Sequence, residues 1–161
     1  MALRLAISGF GRIGRMVLRA LVESGRDDVE IVLINTPGPV DASAHLYEFD
    51  SVHGRAQGDV THGDGWMDVG RGRIAMTHER NPSAIPHAVH GIDIVLECSG
   101  HFNTRDKAAA HLDGGARRVL VSAPCKSPDA TIVYGVNHHE ITPDMLVLSL
   151  IHISEPTRQS L

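Results

Sequence analysis

Apolar and polar positions along the chain change their period several times, and each change marks an element. Leu3-Arg4-Leu5-Ala6-Ile7 alternates and then fills in, as a buried strand does at its end. Gly9 to Gly14 interrupts the run. Met16, Val17, Leu18, Ala20, Leu21 and Val22 then recur at helical spacing, with Arg15, Arg19 and Glu23 assigned to the opposite, polar face. Gly25 in Ser24-Gly25-Arg26 ends that helix as its C′ residue. Glu30-Ile31-Val32-Leu33-Ile34-Asn35, dense in branched apolar side chains, is a second strand. Strand, helix and strand in this order form a βαβ unit, so the two strands are expected to be parallel neighbours.

Thr36 to Pro39 reads as a loop with two prolines, and Asp41 to Phe49 as a helix with Ala42, His45, Leu46 and Phe49 on one side. The texture changes between Gly54 and Arg80. Glycines recur there around short alternating runs, Trp66-Met67-Asp68-Val69 and Arg73-Ile74-Ala75-Met76, which predicts an antiparallel hairpin set outside the strand–helix alternation. The alternation then resumes. Ile92 to Glu97 is a buried strand, and Thr104 to Leu112 a helix with Thr104 as its N-cap and Lys107 and His111 on its polar side. Gly114-Gly115 closes that helix. Arg118 to Ser122 and Ala130 to Val136 are further strands, and Met145 to Leu148 is a last short apolar run. No internal repeat and no low-complexity segment interrupts the series.

The first strand–helix turn carries candidate chemistry. Gly9-Phe10-Gly11-Arg12-Ile13-Gly14 matches G-x-G-x-x-G and lies between a predicted strand and a predicted helix, which is the context the motif requires. Gly9 permits the tight turn, Gly11 lets backbone approach a pyrophosphate, and Gly14 lets helix and strand pack closely. Free amides and the positive end of the helix dipole then face the phosphates. The expected fold is α/β, a Rossmann-like doubly wound, mostly parallel sheet with a small antiparallel hairpin insertion. The expected ligand is a nicotinamide dinucleotide, NAD or NADP. An acidic residue is expected about 20 residues on, at the end of the second strand. Asn35 and Thr36 stand there instead. Threonine neither grips the adenosine ribose as a carboxylate does nor repels a 2′-phosphate, so either NADP is tolerated or preferred, or NAD binds through other contacts.

Composition narrows the partners. The 161 residues suit one domain with a full core, and 42% hydrophobic with 21% charged residues is ordinary globular usage. A net charge of -4 and a pI near 6.2 give no footprint for nucleic acid. No apolar run reaches the ~20 residues of a membrane span, and Met1 to Gly14 lacks the apolar stretch of a secretory signal. A cytoplasmic location is expected. Cys98 and Cys125 cannot build a disulfide framework. Cys98 is read as a buried small residue and Cys125 as a loop cysteine. The eleven histidines are read as surface and loop residues, and no metal site is expected.

Ile7-Ser8-Gly9-Phe10-Gly11-Arg12-Ile13-Gly14-Arg15 resembles the opening signature of the glyceraldehyde-3-phosphate dehydrogenases, with Ser8 where that family usually has asparagine. Ala44-His45-Leu46, Phe49-Asp50-Ser51-Val52-His53-Gly54-Arg55, His78-Glu79-Arg80-Asn81-Pro82 and Glu97-Cys98-Ser99-Gly100 follow in the family's order. So do Lys107 to Leu112, Gly114-Gly115-Ala116, Ser122-Ala123-Pro124 and Val133 to His138. The resemblance implies that Arg12 and Ile13 lie against the pyrophosphate, that Thr36 sits at the adenosine ribose and that Arg80 approaches the adenine. It implies that Ser99, Gly100 and Ser122 lie along the cofactor towards the nicotinamide. The cofactor-binding set is thus Gly9, Phe10, Gly11, Arg12, Ile13, Gly14, Asn35, Thr36, Arg80, Ser99, Gly100 and Ser122.

The resemblance runs from Arg4 to Ser149. Residues 1–149 are read as the dinucleotide-binding domain. The segment that follows in the family carries the nucleophilic cysteine, with which neither Cys98 nor Cys125 aligns. Residues 150–161 look instead like the conceptual translation of a sequencing-library adapter, beginning at Leu148. The family reaction uses a cysteine thiolate, a histidine base and inorganic phosphate. No catalytic residue is therefore expected among these 161, and the polypeptide alone is expected to be inactive. The resemblance also implies a homotetramer for the full-length protein. Erythrose-4-phosphate dehydrogenase, which shares most of these motifs, and a dinucleotide-binding module without catalysis are the alternatives.

Overall fold

A computed structural model describes residues 1–151. Strand β1 (Leu3–Ser8), helix α1 (Arg12–Ser24) and β2 (Val29–Asn35) form the first unit. Helix α2 (Val40–Glu48) leads to the short strands β3 (Phe49–Asp50) and β4 (Gly54–Arg55), which pair with each other. The strands β5 (Thr61–Gly63), β6 (Trp66–Asp68) and β7 (Arg73–Thr77) come next. β8 (Ile94–Glu97), α3 (Arg105–Asp113) and β9 (Arg118–Val121) form a later strand–helix–strand unit, followed by β10 (Ala130–Ile132) and β11 (Val147–Leu150).

Among the described residues the main sheet runs β10-β11-β9-β8-β1-β2-β7-β6-β5. From β10 to β7 every neighbour is parallel, and β7, β6 and β5 are antiparallel. The expected Rossmann-like architecture is present. The hairpin differs from expectation in one respect: β7 also pairs in parallel with β2, so the insertion extends the sheet at its edge. Chain order reverses at β1, with β2 on one side and β8 on the other. Ligands of open α/β sheets bind at the carboxyl ends beside such a reversal.

Side-chain alternation divides the core between the two faces of the sheet. Ile7 and Ile34 pack with Leu18, Ala44 and Tyr47 under α1 and α2. Ala6 and Leu33, one residue earlier in each strand, pack on the other face with Val95, Val119 and Ala108. Gly25 ends α1 in the left-handed conformation at φ 65, and Thr104 caps α3 by accepting from the Lys107 amide, both as the sequence predicts.

Three expectations are corrected, and the facing of α2, which the spacing left open, is settled. Arg19 is buried, at 3% exposure, and not on a polar face. Its guanidinium donates to the carbonyls of Tyr47, Glu48 and Gly54 at 2.7–2.9 Å, which is how a buried cation is tolerated. His111 is fully buried, and so is His87, so neither is a surface residue, although His87 does stand in a turn. The side of α2 bearing Ala42, His45, Leu46 and Phe49 faces outward, while Ser43, Ala44 and Tyr47 turn to the core. The strand expected from Ala130 to Val136 stops at Ile132, where the chain turns and the Val133 amide is captured by the Asn137 side chain at 2.8 Å.

β11 includes Leu150, and the Ile151 amide donates to Ile132 O at 3.1 Å. The rest of the adapter-like tail, 152–161, lies outside the described residues. Among the described residues no helix is long and apolar enough to cross a membrane.

Candidate dinucleotide site

The glycine loop leaves the carboxyl end of β1 beside the chain reversal. A Cβ on Gly9 (φ 89) would lie 2.5 Å from the Ser99 Cα, so only glycine lets the loop meet the turn after β8. A Cβ on Gly14 would lie 2.3 Å from Gly9 O and 3.0 Å from the Ile7 side chain, which fixes α1 close against β1. Gly11 differs: a Cβ there would meet nothing within 4 Å. Its lack of a side chain answers to no neighbour in the protein and leaves open space in front of the helix.

α1 begins at that space without a side-chain cap. Its first internal bond runs from Arg15 N to Gly11 O at 3.0 Å, so the amides of Arg12, Ile13 and Gly14 have no carbonyl partner within their own helix. An acceptor-rich anion placed there would satisfy them and meet the positive dipole end. A dinucleotide pyrophosphate fits both the opening and the donors.

The carboxyl ends of five strands bring the other expected residues to the same rim. Gly9 to Gly14 follow β1, Asn35 and Thr36 end β2, Arg80 follows β7, Ser99 and Gly100 follow β8, and Ser122 follows β9. Their side chains have different surroundings. Arg12 reaches sideways to Asp50, with Nη1 to Oδ2 at 3.1 Å and Nη2 to Oδ1 at 3.4 Å. Asp50 is itself nearly buried and accepts from the amides of His53 at 2.8 Å and Val52 at 2.9 Å. Those backbone bonds, with help from the His53 ring and Arg12, hold its carboxyl well below the usual range despite burial. Arg12 is thus steadied at the mouth of the helix, half-exposed. Ile13 is exposed beside it.

Phe10 and Asn35 turn their side chains inward. Phe10 is buried against Tyr47, with rings stacked at 6.5 Å between centroids, and only its backbone faces the rim. The Asn35 amide is occupied on both ends: its nitrogen donates to Glu79 O at 2.9 Å, and its oxygen accepts from Glu79 N at 2.8 Å and Thr77 Oγ1 at 2.9 Å. It ties β2 to the segment leading into Arg80. Thr36 is buried, and its carbonyl meets the His78 Nδ1 at 2.8 Å. Arg80 and Ser122 are exposed. Burial pushes the Cys98 thiol up to about 11, so it is neutral at ordinary pH and not an activated nucleophile.

Sequence reasoning missed the carboxylate beneath the rim. Glu97, at the end of β8, is 1% exposed and accepts from the Ser99 amide at 2.8 Å and from the Ser99 hydroxyl. Its other oxygen meets His111 Nε2 at 2.6 Å. The available signal was an acidic residue closing an otherwise apolar strand, which must find partners if it is buried.

A family model described as "Glyceraldehyde 3-phosphate dehydrogenase, NAD binding domain" matches residues 3–105. The chain is 61% identical over 149 residues to a glyceraldehyde-3-phosphate dehydrogenase of Cereibacter sphaeroides, covering 92% of this chain and 44% of that protein. It is 58% identical over 149 residues to one of Xanthobacter flavus, with the same coverage. To one of Pseudomonas aeruginosa it is 50% identical over 150 residues, covering 92% of this chain and 45% of that protein. The chain therefore spans less than half the length of the relatives it matches.

Proposed function

Because this chain belongs to the glyceraldehyde-3-phosphate dehydrogenase family and carries its NAD-binding domain, we propose that it supplies the cofactor site of an enzyme that oxidises glyceraldehyde 3-phosphate. With inorganic phosphate and NAD(P)+ the products of that enzyme are 1,3-bisphosphoglycerate and NAD(P)H. The observation that carries this reading is the uncapped start of α1 facing open space at Gly11, beside the reversal of chain order. The bound dinucleotide supplies a hydride acceptor. This chain's residues bind and orient it: the amides of Arg12, Ile13 and Gly14 hold the pyrophosphate, and Arg12 adds a cation steadied by Asp50. Thr36 and Arg80 border the adenosine end, and Ser99, Gly100 and Ser122 border the nicotinamide end.

Thr36 leaves no carboxylate at the end of β2 to repel a 2′-phosphate, and Arg80 stands exposed after the neighbouring β7. NADP is therefore accepted beside NAD. Calorimetric titration of the full chain with each cofactor tests this. Comparable affinities are expected, and a preference for NAD of about tenfold or more would contradict the NADP reading.

The family's aldehyde oxidation passes through a cysteine thiolate; burial holds Cys98 neutral and also pushes the Cys125 thiol up. The 161-residue polypeptide by itself is expected to turn over no glyceraldehyde 3-phosphate. Appearance of NADH or NADPH absorbance with this polypeptide alone would refute that.

A further inference from the structure

Beneath the rim lies a row of buried polar groups that cofactor contact does not use. His87 Nε2 is 3.1 Å from His111 Nδ1, His111 Nε2 is 2.6 Å from Glu97 Oε2, and Glu97 Oε1 takes both the amide and the hydroxyl of Ser99. His87, His111 and Glu97 are each at or below 1% exposure. Such a row is costly to bury; each of its side chains finds a partner within it, although His87 Nδ1 is left open. One choice of tautomers aligns its donors in one direction. With neutral imidazoles, His87 Nε2–H donates to His111 Nδ1, and His111 Nε2–H donates to the carboxylate. The carboxylate then accepts from Ser99, the residue that meets Gly9.

The two ends of the row have different chemistry. At the inner end His87 packs where α3 finishes: a Cβ on Gly114 would lie 3.0 Å from the His87 ring, and His87 Nδ1 has no partner. At the outer end the Ser99 hydroxyl also accepts from the His101 amide at 3.1 Å, so the same turn is held from both sides. Burial pushes the Glu97 carboxyl up, and the hydrogen bonds from His111 and Ser99 outweigh it, leaving it below its ordinary value and charged. The ionisable groups facing this carboxylate are His111 from α3 and the neighbouring Cys98 thiol, with His87 reached through His111 and His90 beyond.

We infer that Glu97 and His111 are positioning residues for the dinucleotide: pinned between α3 and the Ser99 turn, the carboxylate fixes the shape of the wall that faces the glycine loop. This rests on the cofactor site proposed above. Within the turn the His101 amide donates to the Ser99 hydroxyl and Asn103 Nδ2 donates to Gly100 O at 2.8 Å. From outside it, Ser99 is held by the carboxylate and by its contact with Gly9. A shift of the wall by a fraction of an ångström closes or opens the space that the nicotinamide half of the ligand needs.

The test is calorimetry of the full chain with NAD and NADP. Three proteins are compared, the parent, Glu97→Gln and the double variant Glu97→Leu/His111→Phe, each with its circular-dichroism spectrum. The glutamine oxygen accepts from Ser99 and its NH2 group donates to His111 Nε2 once both imidazoles carry their proton on Nδ1, so it is expected to bind within about threefold of the parent. The double variant removes charge and partner together, which buried pairs tolerate, and is expected to stay folded and bind about tenfold more weakly or worse. A folded double variant that binds like the parent overturns the inference and leaves the cofactor site standing. So does Glu97→Gln binding as weakly as the double variant. A parent that binds neither cofactor overturns both. If the double variant does not fold, Glu97→Asp decides. Its carboxylate is withdrawn by one methylene and cannot reach both partners, so binding weaker by about threefold or more is expected, and unchanged binding overturns the inference.

Discussion

The rim of the sheet and the interior behind it both hold polar groups, but they do so with different parts of the chain. At the rim the donors are backbone amides, left open by an uncapped helix and exposed by glycines at positions 9, 11 and 14. In the interior the polar atoms belong to long side chains, Arg19 on one face and Glu97 with His111 on the other, each tied to specific partners. A main-chain site tolerates many side chains as long as the glycines stay. A side-chain anchor fails when one partner is lost, because the other is left buried and unpaired.

Substitutions that separate these two modes sharpen the contrast, and the largest effect is expected in the interior. Arg19→Met keeps the apolar stem but strips the carbonyls of Tyr47, Glu48 and Gly54 of their donor. A loss of about 4 kcal/mol in urea denaturation is expected. A loss below about 1 kcal/mol would make Arg19 no anchor.

The next effect depends on pH. Burial, with His111 and His90 nearby, pushes His87 down to about 4. The unfolded chain takes up that proton near pH 6.5 and the folded one only near 4, so between these values the unfolded chain binds more protons. The stability from neutral His87 is fully present above about pH 6.5 and is lost as pH falls to about 4, on the order of 3 kcal/mol. His87→Phe is expected to flatten the stability profile across that window. An unchanged acid limb would contradict the shift.

At the rim, stability and binding should come apart. Gly14→Ala drives a methyl group into Gly9 O and is expected to cost about 2 kcal/mol. Gly11→Ala meets nothing and is expected to leave stability within about 0.5 kcal/mol while weakening dinucleotide binding about tenfold. Thermal melts and titrations of the pair check this; equal melting losses would erase the distinction. The smallest effect is expected on the outer side of α2. Leu46→Ser and Phe49→Ser, both at half-exposed positions, should change stability by less than about 0.5 kcal/mol. A loss above about 1 kcal/mol in urea denaturation would show that this face is packed.

The same contrast explains what could be read from sequence. The parallel sheet, the hairpin, the Gly25 and Thr104 caps and the glycine loop follow from local backbone demands, which leave marks in residue type and spacing. Arg19, His111 and His87 do not, because a polarity pattern treats every charged or ring-nitrogen side chain as a surface group. Their partners come from residues distant in sequence: Tyr47, Glu48 and Gly54 for Arg19, Glu97 for His111. For α2 the spacing correctly grouped Ala42, His45, Leu46 and Phe49 on one side, but it could not say that Tyr47 would be the residue turned inward. Asn35 and Phe10 were expected at the rim from their positions. They stand there, and their side chains hold the rim's foundations, Asn35 at Glu79 and Phe10 against Tyr47.

Amide chemical shifts of the full chain, followed as NAD is added, test the main-chain site most directly. The account predicts that the largest saturable shifts fall on the amides of Gly11, Arg12, Ile13 and Gly14, with smaller ones at Thr36 and Ser99. Shifts that leave those four amides unmoved while others saturate, or no shifts at all from folded protein, would contradict it.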